Sequence, residues 1–277
     1  MDGLLVCNVE LSSKCQKSCF CCGRRKLERD YPALCDWGFM DSWVVDKIAQ
    51  QLPDNIVVQF HSNGEPLLYP FLYTGLQKFK HTIRCLSTNA IALVEKADAI
   101  IDNLDTLTIS VIEDDPLADK QYEDVKKFLE IKGDRKPFMI YRLLGDVTKR
   151  GTINQFVSNE EWKNRWYQLP GIVATRILHN SMGSYEYTKK VTIPEIGVCL
   201  DLLSHLVIDR YGDVFPCVRF DPTKINKLGN VKETALEELW NSKKRLDMIR
   251  EHVKGNRKCS ELCSKCDFYG VPTSSSS

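Results

Sequence analysis

Three cysteines near the start of the chain, Cys15, Cys19 and Cys22, are spaced C-x3-C-x2-C within Cys15-Gln16-Lys17-Ser18-Cys19-Phe20-Cys21-Cys22. Three thiolates on one tight loop can hold three corners of an iron–sulfur cubane, whereas a structural cluster takes four cysteines. The missing ligand leaves one iron open, and an open position is what separates a catalytic metal site from a closed one. Zinc is the alternative, but zinc loops usually use paired C-x2-C half-sites, and no fourth ligand lies nearby in the sequence. Cys21 competes with Cys22 for third place, and the spacing favours Cys22. A second group comprises Cys199, Cys217, Cys259, Cys263 and Cys266. Cys199 precedes a predicted hairpin and Cys217 follows it, while Cys263 and Cys266 form a C-x2-C. Those four thiolates complete a closed cluster or a zinc site, and Cys259 is surplus. Cys7, Cys35 and Cys85 have no partner at metal spacing; Cys7 and Cys85 fall in apolar strand runs and read as small hydrophobes.

The elements that must position these residues follow from hydrophobic period. Residues 4–10 read as a strand leading into the cysteine loop of residues 11–26. Met40, Trp43, Val44, Ile48 and Leu52 lie on one face of a helix that Pro53 ends. Strands at 56–61, 82–88, 106–112, 138–144 and 172–178 then alternate with helical stretches near 70–80, 91–102, 119–131 and 159–168. Such alternation implies parallel strands joined by helical crossovers, with chemistry at the strands' carboxyl ends. The Cys15 to Cys22 loop, Ser62-Asn63-Gly64-Glu65-Pro66 and Ser87-Thr88-Asn89 all fall at such ends. Beyond residue 190, Leu206–Ile208 and Val214-Phe215 read as a hairpin around Asp209 to Asp213, followed by a helix near 233–251.

Composition narrows the function. A chain of 277 residues can bury a full core without cross-links, so its 12 cysteines are not needed for stability. Lys and Arg number 38 against 37 Asp and Glu, which gives no electrostatic case for nucleic acid or an anionic membrane. There is no signal-peptide pattern and no uncharged run near the ~20 residues that span a bilayer. The expectation is a soluble cytoplasmic protein, where clustered thiols act as metal ligands and not as disulfides.

Taken together, these segments resemble the radical S-adenosylmethionine (SAM) superfamily, in the branch that carries a SPASM or twitch auxiliary-cluster domain. The C-x3-C-x2-C loop resembles its signature, and Asn63-Gly64-Glu65-Pro66 resembles its GGEP segment. Cys199-x12-Gly212-x4-Cys217 resembles the opening of the auxiliary domain, as do Leu228-Gly229-Asn230-Val231 and Leu239-Trp240-Asn241-Ser242 for later segments. The resemblance implies an α/β fold: a partial (β/α)6 TIM-like barrel over residues 1–190, a small twitch-like domain over 191–270, and a disordered tail at 271–277. It also implies that Cys15, Cys19 and Cys22 bind a [4Fe–4S] cluster whose open iron chelates SAM. Reductive cleavage then yields a 5′-deoxyadenosyl radical that abstracts a substrate hydrogen. Asn63, Gly64 and Glu65 would receive the methionine amino group and Ser87 and Asn89 the ribose hydroxyls, with Ser110 as a further SAM contact; Arg142, whose planar fork suits carboxylates, is a candidate for the SAM carboxylate or an acidic substrate, with a structural ion pair as the alternative. Cys199, Cys217, Cys263 and Cys266 would hold one auxiliary [4Fe–4S] cluster. An electron donor such as flavodoxin or ferredoxin is the implied partner.

The expected outcome is two-electron dehydrogenation of a small molecule, the auxiliary cluster taking an electron. Rivals are epimerisation or crosslinking of a ribosomally made peptide, installation of a glycyl radical, and a non-catalytic zinc-binding or redox-sensing regulator. Of the remaining polar residues, His61 is expected to orient the SAM loop and His179 lies where a substrate loop should be. Trp162, Trp166 and Tyr167, at helical spacing, read as core.

Overall fold

The computed structural model describes residues 1–112, 115–144, 159–176, 198–219 and 221–266. Six strands run in parallel and in sequential order: β1 (Val6–Val9), β2 (Val57–Phe60), β3 (Ile83–Thr88), β4 (Thr106–Ile112), β5 (Phe138–Leu144) and β6 (Ile172–Arg176). Each pairs with its predecessor, so the sheet is wound in one direction, as in a barrel, and not doubled back from a central strand. Among the described residues β1 and β6 do not pair, and the barrel is partial. The helices are α1 (Gly23–Asp30), α2 (Ser42–Ala49), α3 (Leu72–Lys78), α4 (Ala97–Ile100), α5 (Ala118–Lys132) and α6 (Asn159–Tyr167). No helix among the described residues is long and apolar enough to cross a membrane.

Where a barrel would close, the chain instead adds β7 (His205–Ile208) in parallel beside β1, reached through α7 (Leu200–Ser204). The strands β8 (Asp213–Phe215) and β9 (Gly229–Asn230) continue the same sheet antiparallel. The turn from β7 to β8 needs Gly212 at φ +85°, a conformation that costs a residue with a Cβ. The expected hairpin is therefore present as an extension of the barrel sheet. The helix expected at 233–251 is two helices, α8 (Leu236–Trp240) and α9 (Lys243–Val253), because the Ser242 hydroxyl caps a fresh start by accepting from Arg245 N. A short α10 (Glu261–Ser264) ends the described chain.

Strand alternation sorts the side chains into two faces. Cys7, Val9, Val58, Phe60, Leu86, Leu107, Ile109, Val111, Met139, Tyr141 and Leu143 are buried in the core beneath the helices. The opposite face is mixed: Asn8, Glu10, Gln59, Ser87, Thr108, Ser110 and Arg142 stand among Val57, Cys85, Ile112 and Ile140. A parallel sheet buried on both faces would be apolar throughout, so these polar residues mark the barrel interior as a candidate site.

Two local expectations change. Trp43 stands 52% exposed with the Lys232 ammonium 5.5 Å from its ring centre, and Val45 is buried in the core instead. The helix expected at 91–102 contracts to α4, because residues 91–96 form turns. Trp166 is fully buried against Tyr141 and Tyr122, as expected of core, while Tyr167 is exposed. His179 lies outside the described residues, and so do the 190/191 boundary and the 271–277 tail.

Candidate active site

The cysteine loop leaves β1 and is held down at its start. Ser13 N donates to Gly38 O and Gly38 N to Ser13 Oγ, each at 2.9 Å. The segment after β2 lies against the same stretch: Glu65 N donates to Lys14 O at 2.7 Å. A Cβ on Gly64 would fall 2.1 Å from Ser12 O, so only glycine allows this approach. The loop ends where Cys22 becomes the N-cap of α1, with Cys22 N donating to Cys19 O at 3.1 Å. A thiolate there meets the partial positive charge of the helix start.

The thiols interact with one another. Burial pushes Cys19 up to about 11, with the neighbouring Cys22 and Cys15 thiols adding to it and the Lys17 ammonium opposing. Burial also raises Cys22, and Cys15 contributes there too. Cys21, pushed up to about 12 chiefly by burial, feels Cys19 and Cys22 but not Cys15. All four thiols of the loop are thus close enough to act on one or more of the others. Cys15 Sγ accepts from Lys17 N at 3.4 Å and from Asn89 Nδ2 at 3.7 Å, the kind of contact that tunes a sulfur ligand. Lys17 is itself paired with Asp115, both side chains being under a tenth exposed. No group of His, Cys, Asp or Glu among the described residues is arranged to hold a single metal ion. A cubane makes the weaker demand of one thiolate per iron, so its ligand sulfurs stand apart, and donor sets of three and four thiols suit it.

Glu65 is the buried centre of the second and third strand ends. Its carboxylate accepts from Thr88 Oγ1 at 2.6 Å, Asn89 N at 2.8 Å and Leu67 N at 3.1 Å. It is 2% exposed, and burial raises its pKa against the pull of these donors and of Lys17. The carboxylate is therefore occupied in tying β2 to β3. Ser87 is in register with Thr108, and Ser110 with Arg142, which brings Ser87, Ser110 and Arg142 onto one face of adjacent strands. Gln121 of α5 donates to both Asn89 O at 2.9 Å and Ser110 O at 3.0 Å, a clamp that the sequence pattern does not reveal.

Cys199, Cys217, Cys263 and Cys266 lie near enough to influence one another electrostatically. Burial raises Cys217, with Cys199 and Cys263 contributing, and burial raises Cys263 to about 11, with Cys259, Cys199 and Cys266 contributing. Cys199 feels Cys266 in turn. Cys259 is exposed, and among the charged groups acting on it Glu251 comes first. Cys7 is buried in the core, as expected.

Two buried polar groups, one in β1 and one just beyond it, are not evident from the sequence pattern. Asn8 donates to His61 O at 3.0 Å and lies 2.6 Å from His205 Nε2, joining β2 to β7. Glu10 accepts from Asn63 N at 3.0 Å and Arg210 N at 3.2 Å. The one signal available was a polar residue at alternate positions of an otherwise apolar strand.

Residues 199–267 match the SPASM family, an iron–sulfur cluster-binding domain. The chain is 23% identical over 282 residues to an S-adenosyl-L-methionine-dependent 2-deoxy-scyllo-inosamine dehydrogenase of Niallia circulans, covering 99% of this chain and 97% of that one. The crystal structure of BtrN with AdoMet and 2-DOIA is similar in fold, with a TM-score of 0.60 at 20% identity over 96% of this chain and 94% of that one. So is SuiB of Streptococcus suis bound to its precursor peptide SuiA, with a TM-score of 0.58 at 16% identity over 95% of this chain and 71% of that one. The C-terminal match places residues 199–267 in the SPASM iron–sulfur cluster-binding family, and over its whole length the chain is similar to an S-adenosyl-L-methionine-dependent dehydrogenase and shares its fold with an AdoMet-bound structure.

Proposed function

We propose that this enzyme cleaves SAM reductively and dehydrogenates a small molecule, removing two electrons and two hydrogens. Cys15, Cys19 and Cys22 would hold the SAM-binding [4Fe–4S] cluster, and Cys199, Cys217, Cys263 and Cys266 one auxiliary [4Fe–4S] cluster. When bound, SAM and the two clusters supply a hydrogen-abstracting radical and an electron sink. The protein's own residues position these groups. Asn63, Gly64 and Glu65 shape the segment that receives the methionine end, with Glu65 acting from behind as a brace. Ser87 and Asn89 face the ribose, and Ser110 and Arg142 extend the same face; the Arg142 fork suits a carboxylate. The reading assigns residues 1–190 to the barrel and 191–270 to the auxiliary domain, a flavodoxin or ferredoxin as donor, and a reducing cytoplasmic setting.

The observation that carries it is the pair of thiol sets, three on one loop and four gathered from separate segments, beside the polar residues of the barrel face. The full-length similarity to a dehydrogenase acting on an aminocyclitol supports a polyhydroxylated amine as substrate class. Peptide modification is the second reading, favoured by the likeness to a peptide-bound enzyme. The test is anaerobic reconstitution, then incubation with SAM, reductant and aminocyclitols. About eight irons per chain, 5′-deoxyadenosine and a product lighter by two hydrogens are expected. Zinc without iron, or a reconstituted protein that never cleaves SAM, overturns the reading.

A further inference from the structure

Glu10 is a carboxylate in an unusual place. It stands at the carboxyl end of β1, two residues beyond Asn8 on the same face, and is 4% exposed. One oxygen accepts from Asn63 N, in the segment assigned to SAM, and the other from Arg210 N, in the turn between β7 and β8. Its own N–H donates to Ile208 O at 2.9 Å. The Arg210 guanidinium does not neutralise it, being directed at Asp36 at 2.5 Å and stacked on Tyr211 with 3.9 Å to the ring centre. The hydrogen bonds that hold Glu10 thus come from backbone N–H groups, with the Arg210 charge acting only from a distance. The segment it grips is fixed at three consecutive residues to the stretch between positions 10 and 14. Asn63 is held by Glu10, Gly64 is lodged against Ser12 and Glu65 is bonded to Lys14 O.

We propose that Glu10 is a positioning residue through which the auxiliary-domain hairpin sets the SAM-binding segment. The proposal rests on the SAM reading above for the ligand, and on geometry alone for the tie. An ionised carboxylate offers acceptors to both N–H groups at once. A protonated one presents a hydroxyl to one of them, donor facing donor, and a tie is lost. Burial raises Glu10 to about 7, and the nearby Asp209 carboxylate adds to this while the two N–H groups and Arg210 oppose it. The titratable and charged groups around it are Asp209 and Arg210 from the hairpin and, on the adjacent strand end, His61, held against Asn8. The grip on the SAM segment is therefore set near neutrality.

Two variants of the reconstituted full-length protein test this: Glu10→Gln, which keeps the shape but replaces one acceptor with a donor, and Asp209→Asn, which keeps both ties and removes the repelling charge. SAM affinity of wild type, by equilibrium dialysis from pH 5.5 to 9, falls as pH drops through about 7. Glu10→Gln weakens binding about tenfold at pH 8, the effect of one bond to a charged group, and abolishes the pH step. Asp209→Asn moves the step to lower pH. Hydrogen exchange of residues 61–65 and 209–213, measured on apoprotein, rises together in Glu10→Gln. A pH step that persists in Glu10→Gln overturns the proposal, as does unchanged exchange in either segment. Wild-type protein that binds no SAM at any pH defeats the SAM reading, and the exchange result then decides the tie by itself.

Discussion

The two thiol sets are built in opposite ways. Cys15, Cys19 and Cys22 come from one short loop whose shape is imposed from outside, by Gly38, Gly64 and Glu65. Cys199, Cys217, Cys263 and Cys266 come from separate segments: one before β7, one after β8 and two at the end of the described chain, in and just after α10. On the proposed reading, the single loop would supply three ligands and leave a coordination position free for chemistry, whereas segments converging from several directions would supply four and close the site. Local spacing favours an open site, and tertiary convergence a closed one.

Removing one member from each set breaks the comparison most sharply. Cys19→Ala should abolish SAM cleavage while the auxiliary set keeps its metal, so iron falls from about eight to about four per chain. Cys217→Ala should lose the same amount of iron yet still cleave SAM, with substrate oxidation lost; 5′-deoxyadenosine and product yields separate the two. If both variants lose SAM cleavage alike, the sets are not independent.

Gly64→Ala probes the outside support of the loop. With Ser12 O at 2.1 Å from the added carbon, either the loop or the segment must move, at a cost of about 1–3 kcal/mol in denaturant unfolding. Glu10→Gln reports on stability as well as on binding. Its pKa is raised from 4.5 to about 7, so folded protein retains a proton that the unfolded chain has released. Its contribution is complete below about 4.5 and is lost as pH rises through about 7. The variant should accordingly gain stability over wild type between pH 5 and pH 8, by about 2–3 kcal/mol at most. The ionised carboxylate that organises the segment is paid for in fold stability. The smallest effects are expected from Cys21→Ala and Cys259→Ala, both of which should leave the iron content unchanged; a drop in either reassigns a ligand.

The sequence shows most clearly what is local or periodic. The loop cysteines carry their own spacing, and β3, β4 and β5 declare themselves by alternation. Helix α1 starts inside the loop expected over 11–26, and the sequence hides it because Gly23 to Asp30 has one apolar residue, Leu27, and hence no apolar face to detect. Trp43 was assigned to the buried face by period alone, although α2 begins at Ser42 and turns that position to solvent. Glu65 is legible as a site residue, but the bonds it accepts from Thr88, Asn89 and Leu67 are not, because they depend on where β3 ends beside it. Asn8, Glu10 and Gln121 were missed because their partners are remote in sequence, and no residue type at one position announces a partner so distant.

The pairing of β7 with β1 has a consequence for the life of the chain before the enzyme is complete. Strand β1, with Val6, Cys7 and Val9, is synthesised well before β7, yet one flank of it is covered only when His205 to Ile208 arrive. Until then it is an uncovered apolar edge, the kind that recruits strands from other molecules. A chain cut before residue 198 would keep every residue of the signature loop and still expose that edge, and should self-associate. The auxiliary segment thus also serves as the barrel's protection against aggregation.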